Sequence, residues 1–406
     1  MILIIKKILF IFITSKFNSK KNLFYLDLNF KKIDFTNYKQ IKTFIFKKNF
    51  IDKNYKYVQN FDFLNFSNNL GGKIGINLSR KSIFDWFKAN KSKINFPWSD
   101  DYTSKRLINI IYNYEFINSS STKQESKILE KIIIIHMHRC IFEFNERKTG
   151  YLTSYDVVAV FLSSFLLQRN FKKNIEIFEE ILSNQIDSLG MHKSYNLLEH
   201  SKFLNNLIEL KNIFLFFRKD ILKNHNETII KMSSILNEYF HADGSFPLFN
   251  GSNNNYTKNI FNSLNKEEFL RSRNFINASN GIAFYKDKNK RIFFDIVQPN
   301  KDKISSNLSA GTLSFEFSCD DEKIITNCGA TESYGKNPEY LRYTAAHSTI
   351  VLQNTNVSEI KENTPHIKYP QSVQYNSNED EKSFILEGSH NGYAKKFQKN
   401  RTKNYL

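Results

Sequence analysis

The chain has 406 residues, with 58 Lys and Arg against 40 Asp and Glu and a formal charge of +18. That length allows two domains and a large core, and the charge suits a polyanionic partner. Asn, Ile and Phe are enriched together with Lys, which weakens charge as an argument; with no zinc-finger spacing, glycine-rich phosphate loop or basic tract with interleaved aromatics, no nucleic-acid partner is expected.

The N-terminal run Met1 to Phe17 mixes apolar residues with Lys6 and Lys7. Its uninterrupted core, Ile8 to Thr14, is too short to span a membrane and has no small-residue cleavage site, so a poor signal peptide and a buried first strand stand equal and no transmembrane span is expected. Residues 20–82 hold short apolar runs broken by Asn, Asp and Lys, with a turn at Leu70-Gly71-Gly72. They are expected to form an extended lead-in with a few short strands, residues 1–82 in all.

From Ser82 the period changes to that of a helix, with Ile83, Trp86 and Phe87 on one face. Pro97 to Asp101 then leads into a capped helix, and helices are predicted over 102–117, 124–146, 153–168, 171–186, 197–222 and 227–240. A helical succession without strands fits a bundle, a solenoid or an α/α toroid, and the lack of a fixed repeat weakens the solenoid. His136 and His138 look like a metal pair, but i and i+2 face apart on a helix, so both are expected to be structural.

Around 245–280 the helical period stops. Gly281 to Tyr285, a turn at Asp287-Lys288-Asn289, and Arg291 to Phe294 predict the first hairpin of a sheet domain. Alternation in Thr312 to Phe317 puts Leu313, Phe315 and Phe317 on one face and the polar residues on the other, as in a half-buried antiparallel strand. A further strand is predicted from Ser348 to Leu352, with His347 at its mouth. Helices first and strands afterward predict two domains. The three cysteines, Cys140, Cys319 and Cys328, make no disulfide framework, although Cys319 and Cys328 flank one predicted hairpin and a bridge across it is conceivable.

Three blocks, Gly311 to Glu316, Ile325 to Gly329, and Arg342 with Ala345-Ala346-His347-Ser348-Thr349, resemble the C-terminal signature of the heparinase II/III-like polysaccharide lyases. The resemblance runs over about 85–400. It implies an α/α toroid at 83–265 followed by an antiparallel β-sandwich at 275–406, an α+β multidomain chain whose sandwich is incomplete at Leu406. It also implies β-elimination on an acidic, uronic-acid polysaccharide, with no cofactor, in a periplasmic or envelope setting that the N-terminus leaves open.

Two toroid stretches carry the resemblance further: Asp187 to Asn196 and Phe240 to Asn250. By resemblance Tyr195, His192 and His241 are the candidate catalytic residues, while Asn250, Asn307, Arg342 and His347 line the glycan cleft. Many relatives carry His-x-His-Ala-Asp where this chain has Asn307-Leu308-Ser309-Ala310-Gly311, and Asn327 stands where an acidic residue is common. Asn307 can donate a hydrogen bond but cannot exchange a proton near neutrality. His347 with a hydroxyl and an amide makes a poor zinc site, so no metal is expected. The second reading is a glycan-binding or envelope protein that does not cleave.

Overall fold

A computed structural model of the chain describes residues 56–94, 96–98, 102–254, 257, 260, 281–299, 308–330, 339–361, 368–379, 383–397 and 402–405. The expectations for the N-terminal run, for the end of the 245–280 loop and for Asn307 fall outside these residues. Within them the chain is helical first and antiparallel sheet afterward, the α/α toroid and β-sandwich class. It divides into two compact units, one of residues 1–181 and 206–221, the other of 182–205 and 222–406.

The helices are α1 Lys56–Gln59, α2 Phe63–Leu70, α3 Gly72–Asn90, α4 Tyr102–Tyr112, α5 Tyr114–Asn118, α6 Lys123–Glu146, α7 Ser154–Leu166, α8 Lys172–Gln185, α9 Leu197–Phe216 and α10 Lys223–Glu238. Helical structure therefore begins well before Ser82, and residues 56–82 are not the predicted strands. Gly71 and Gly72, both at positive φ, end α2 and open α3 without a strand between them.

In the first unit α6 and α7 each start on a capping box, Thr122 with Glu125 and Thr153 with Asp156. α7 is apolar on all sides and buried along Val157 to Leu162, so it serves as the axis of this unit's core. His136 accepts from Arg106 Nε at 3.2 Å and its Nδ1 meets the Ile132 carbonyl at 2.8 Å, while His138 meets Arg169 instead. The two histidines point to different partners, as their spacing requires.

Among the described residues the second unit holds two sheets. One has the order β1-β2-β3-β4, from β1 Ile282–Lys286, β2 Lys290–Asp295, β3 Phe315–Cys319 and β4 Glu322–Ile325; the other is β5 Val373–Glu379, β6 Phe384–His390 and β7 Thr402–Tyr405. Every pairing is antiparallel. A short helix, α11 Ala394–Phe397, precedes β7.

Ala283, Phe294, Leu313 and Leu386 form the core where the sheets face each other, with Phe315, Val373 and Phe384 against it. Gly388 lets them close: a Cβ there would lie 2.6 Å from Leu313 and 2.7 Å from Phe294. The opposite face of the first sheet is covered too. Tyr239 packs edge-on against Phe284, His241 lies 4.8 Å from the Phe293 ring, and Arg291 donates to the Phe240 carbonyl.

One strand expectation holds only in part and another fails. β3 starts only at Phe315, because Leu313 turns at φ 62° and Ser314 N donates back to Gly311 O. Its polar side is the more deeply buried one: Glu316 is 0% exposed and Ser318 1%, whereas Phe315 and Phe317 are half-buried. Ser348 to Leu352 forms no strand at all. Its backbone and hydroxyls bond to Asn327, Phe315 and Thr312 in place of a ladder, an option Ser and Thr offer the backbone. Helix α9 stops at Phe216, short of residue 222, where Arg218 turns at φ 52°. All three cysteines are free, so the conceivable Cys319–Cys328 bridge is not made.

Candidate active site

The described candidate residues all lie in the second unit. The loop joining α8 to α9 is built on Asp187, whose Oδ1 accepts Leu189 N at 2.9 Å and Met191 N at 2.8 Å. Gly190, at φ 99°, allows the loop to touch α10, since a Cβ there would stand 2.6 Å from Lys231 Cβ. His192 is buried against Phe203 and bonds through Nδ1 to Ser194 Oγ at 2.7 Å. Its backbone N–H donates to His200 Nδ1 at 3.3 Å, so His200 carries its proton on Nε2 and gives it to the Met232 carbonyl at 2.9 Å. Burial pulls His192 down to about 4 and His200 to about 3; both imidazoles are neutral at pH 7.

Tyr195 follows in the left-handed region at φ 50° and is half-buried. Its ring lies over Gly281, where a Cβ would come within 2.6 Å of Cε1. Burial raises the phenol, with Asp187 and Asp295 adding to the rise, so Tyr195 rests as a proton donor. Asn196 then caps α9 through Leu198 N and Glu199 N. Its Nδ2 donates to the Asn250 carbonyl at 3.0 Å and its Oδ1 accepts from Ser252 Oγ, which ties this loop to the one that follows α10.

His241 opens that second loop. Its Nδ1 meets Ser318 Oγ at 2.8 Å and its Nε2 meets Glu316 Oε2 at 3.1 Å. Glu316 also accepts Leu248 N at 2.8 Å, Asn327 N at 3.0 Å and Asn327 Nδ2 at 3.2 Å, with Lys323 Nζ at 3.5 Å. Burial pushes this carboxyl up, but the His241, Lys323 and backbone donors outweigh it and hold it below the ordinary range. Burial lowers His241, with Glu316 partly offsetting. Both ring nitrogens are therefore engaged inside the fold, which places His241 as a brace between its loop and β3.

Segment Leu308 to Gly311 gathers three of the remaining candidates. Asn250, at φ 52° and buried, receives Ser309 N on its Oδ1 at 3.4 Å. Arg342 gives Nε and Nη2 to the Leu308 carbonyl, at 3.2 and 2.9 Å, and Nη1 to the Lys361 carbonyl at 3.0 Å. That geometry makes Arg342 a clamp on the backbone rather than a cation held out to a ligand. His347 packs on Gly311, where a Cβ would lie 2.9 Å from its Cγ, and its Nδ1 stands 3.3 Å from Asn327 Oδ1. Burial draws it down to about 4, with the Leu341 carbonyl and Glu316 only partly offsetting.

Two carboxyls escaped sequence reasoning. Glu316 falls on the polar side of an alternating strand, which reads as solvent-facing. Asp295, at the end of β2, is buried with Val297 N on its Oδ1 at 3.0 Å, and burial pushes it up to about 7. The Asn250 amide beside it tempers that rise, although Asn250 Nδ2 makes no well-formed hydrogen bond. The one available signal was the Asp closing the apolar run Ile292-Phe293-Phe294. Among the described residues no three His, Cys, Asp or Glu side chains gather as metal ligands, and no described helix is long and apolar enough to cross a membrane.

These candidate residues thus comprise a protonated phenol, neutral imidazoles and buried carboxyls, groups able to hold or move a proton. Comparison with known proteins bears on the fold. Residues 273–404 match the family model described as Heparinase II/III-like, C-terminal. No curated protein matches the chain.

Among solved structures, a heparinase III superposes with a TM-score of 0.59 at 14% identity, over 82% of this chain and 61% of that one. A mutant of the heparan sulfate lyase HepC from Pedobacter heparinus gives 0.56 at 12%, over 82% and 57%, and the heparinase III product BT4657 gives 0.56 at 14%, over 94% and 74%. This chain spans 57% of the HepC chain. At such identities the likeness is one of fold. The chain has the fold of the heparinase-type polysaccharide lyases, and its residues 273–404 match the heparinase II/III-like C-terminal model.

Proposed function

We propose that this protein is a polysaccharide lyase that cleaves an acidic, uronic-acid-containing glycan by β-elimination. The observation that carries the reading is Tyr195: a half-buried phenol in a strained backbone conformation, kept protonated beside two acidic residues, on a lyase scaffold. In elimination a base removes the proton next to the carboxylate, neighbouring groups neutralise the developing charge, and an acid protonates the departing oxygen. Tyr195 suits the last task. His192 and Asn250 are proposed to face the carboxylate, His241 to hold its loop in place, and Asn307, Arg342 and His347 to shape the wall of the cleft.

The test is ultraviolet absorbance of the unsaturated uronate during incubation with heparan sulfate, chondroitin, alginate and bacterial capsules. Product that forms with the wild-type chain and vanishes in Tyr195→Phe supports the reading; none on any substrate, from folded protein, removes it. The second reading, a glycan-binding protein that does not cleave, draws on Asn307 in place of a histidine and on Arg342 and His241 being engaged internally. It predicts that an acidic oligosaccharide is bound intact and that Tyr195→Phe binds equally well.

A further inference from the structure

Phe293, Asp295 and Glu316 share one face of the first sheet, since Phe293 pairs with Glu316 and side chains alternate along a strand. That is the face His241 covers. It therefore carries two buried carboxyls beneath the second loop. Glu316 fastens the start of that loop at His241 and its middle at Leu248 N. Asp295 meets its end, at Asn250.

The orientation of Asn250 follows from what meets it. The Ser309 backbone N–H can only donate, so the atom it reaches at 3.4 Å is the amide oxygen, and the nitrogen is the other end. That nitrogen is buried, makes no well-formed hydrogen bond, and lies by the Asp295 carboxyl. A buried donor left unmet is costly and calls for an acceptor. Asp295 is held in place to be that acceptor. Its backbone N–H bonds Ser314 O at 2.8 Å, its carbonyl takes Leu313 N at 2.9 Å, and its Oδ1 takes Val297 N at 3.0 Å.

The same turn carries the phenol. A Cβ on Gly281 would stand 2.6 Å from Tyr195 Cε1 and 2.9 Å from Val297 Cγ2, so the ring and the Val297 side chain meet there. Asn196, next after Tyr195, donates to the Asn250 carbonyl at 3.0 Å. Tyr195 and Asn250 both sit at positive φ, 50° and 52°, a costly conformation that surrounding contacts must maintain. Around Asp295, β1 sets Ile282 opposite it, the segment before β3 sets Ser314, the second loop Asn250, and the first loop Tyr195 and Asp187. Of these only Tyr195 and Asp187 titrate.

We propose that Asp295 is a positioning residue of the candidate site: its carboxyl holds the nitrogen end of Asn250, seats the second loop on the sheet beside the Tyr195 ring, and by its charge helps Tyr195 keep its proton until the leaving oxygen takes it. The part in the reaction rests on the lyase reading; the seating of Asn250 and Tyr195 does not. Burial brings the carboxyl up to about 7, so its charge is switched under conditions where the fold persists. As pH rises through that value the carboxylate forms, draws the Asn250 nitrogen and raises the phenol.

The test is NMR on the full chain with carbon-13 at tyrosine Cζ and nitrogen-15 in the side-chain amides. Tyr195 and Asn250 are assigned by the signals lost in Tyr195→Phe and Asn250→Gly. Both signals are expected to move through one step centred at about 7, and both steps to vanish in Asp295→Asn, which keeps the shape without the charge. On a polysaccharide that the wild-type chain cleaves, Asp295→Asn should lower kcat by about tenfold or more with KM nearly unchanged, and remove the neutral-pH inflection of kcat. Wild-type signals that stay flat across neutral pH overturn the proposal even where Asp295→Asn fails to fold. Steps that persist in folded Asp295→Asn overturn it too, since another group is then titrating, and a kcat indifferent to Asp295→Asn overturns the part in the reaction. If the steps behave as stated but wild-type protein yields no unsaturated product from any polysaccharide, the lyase reading fails and that part with it, while the positioning stands.

Discussion

His241 and Glu316 meet at 3.1 Å, Nε2 to Oε2, with neither side chain exposed. They are 75 residues apart, and the bond pins the loop after α10 onto the buried face of β3. Removing one partner of a buried charged group costs more than the pair contributes, because the other is left unmet. Glu316→Ala is therefore expected to destabilise the protein by about 3–5 kcal/mol, read as the shift in urea midpoint. Glu316→Gln, which keeps the shape and an acceptor, should cost clearly less.

Acid should weaken the fold before the ordinary carboxylates titrate. His192, His347 and His390 are lowered to about 4 and His200 to about 3 by burial. Each binds a proton in the unfolded chain at about 6.5 but resists it when folded. Between those values the unfolded state holds more protons, so their contribution to stability is full above the unfolded value and is lost as pH falls toward the folded one. Melting temperature should fall steadily from pH 7 to pH 5, and a flat profile over that range would contradict the burial of these rings.

Gly281 is the platform for Tyr195. At φ 75°, with the ring 2.6 Å from a virtual Cβ, Gly281→Ala is both strained and overpacked. The expected cost is about 1–3 kcal/mol, with a displaced phenol. On the proposed function elimination should fall while Gly388→Ala, which crowds the sheet core instead, lowers melting temperature but leaves kcat near wild type once the protein is folded.

Arg342 clamps Leu308 and Lys361 through a fork that lysine cannot reproduce. Arg342→Lys should leave the Leu308 carbonyl short of a donor and cost about 2 kcal/mol. Amide exchange at Ala310, whose N–H bonds the Arg342 carbonyl at 2.8 Å, is the local readout and should quicken.

The helices after Ser82 and the first hairpin were legible because period and turn chemistry act locally. Thr122 with Glu125, and Asp287 between two apolar runs, declare themselves within a few residues. Glu316 was not legible, since alternation says which residues share a face but not what covers that face. The cover here is a loop 75 residues earlier, with its own histidine. Residues 56–82 misread for a related reason: short polar interruptions resemble strand boundaries, whereas burial of Phe63, Leu64 and Phe66 on one side of α2 sustains a helix. Of the candidate site, resemblance singled out the loops, and the engaged state of Arg342 and His241 emerged only from geometry, because donor spending cannot be counted from a motif.

Cys328 is an exposed thiol directly after Asn327, while Cys140 is buried, with its thiol pushed up, and Cys319 is half-covered. Thiol reactivity follows exposure and thiolate fraction, so a maleimide fluorophore or spin label should attach first at Cys328. The native chain therefore carries its own attachment point for spectroscopy, one residue from Asn327, whose amide joins Glu316 to the Ser348 backbone, and the state of that junction could be followed there without altering any residue that forms it.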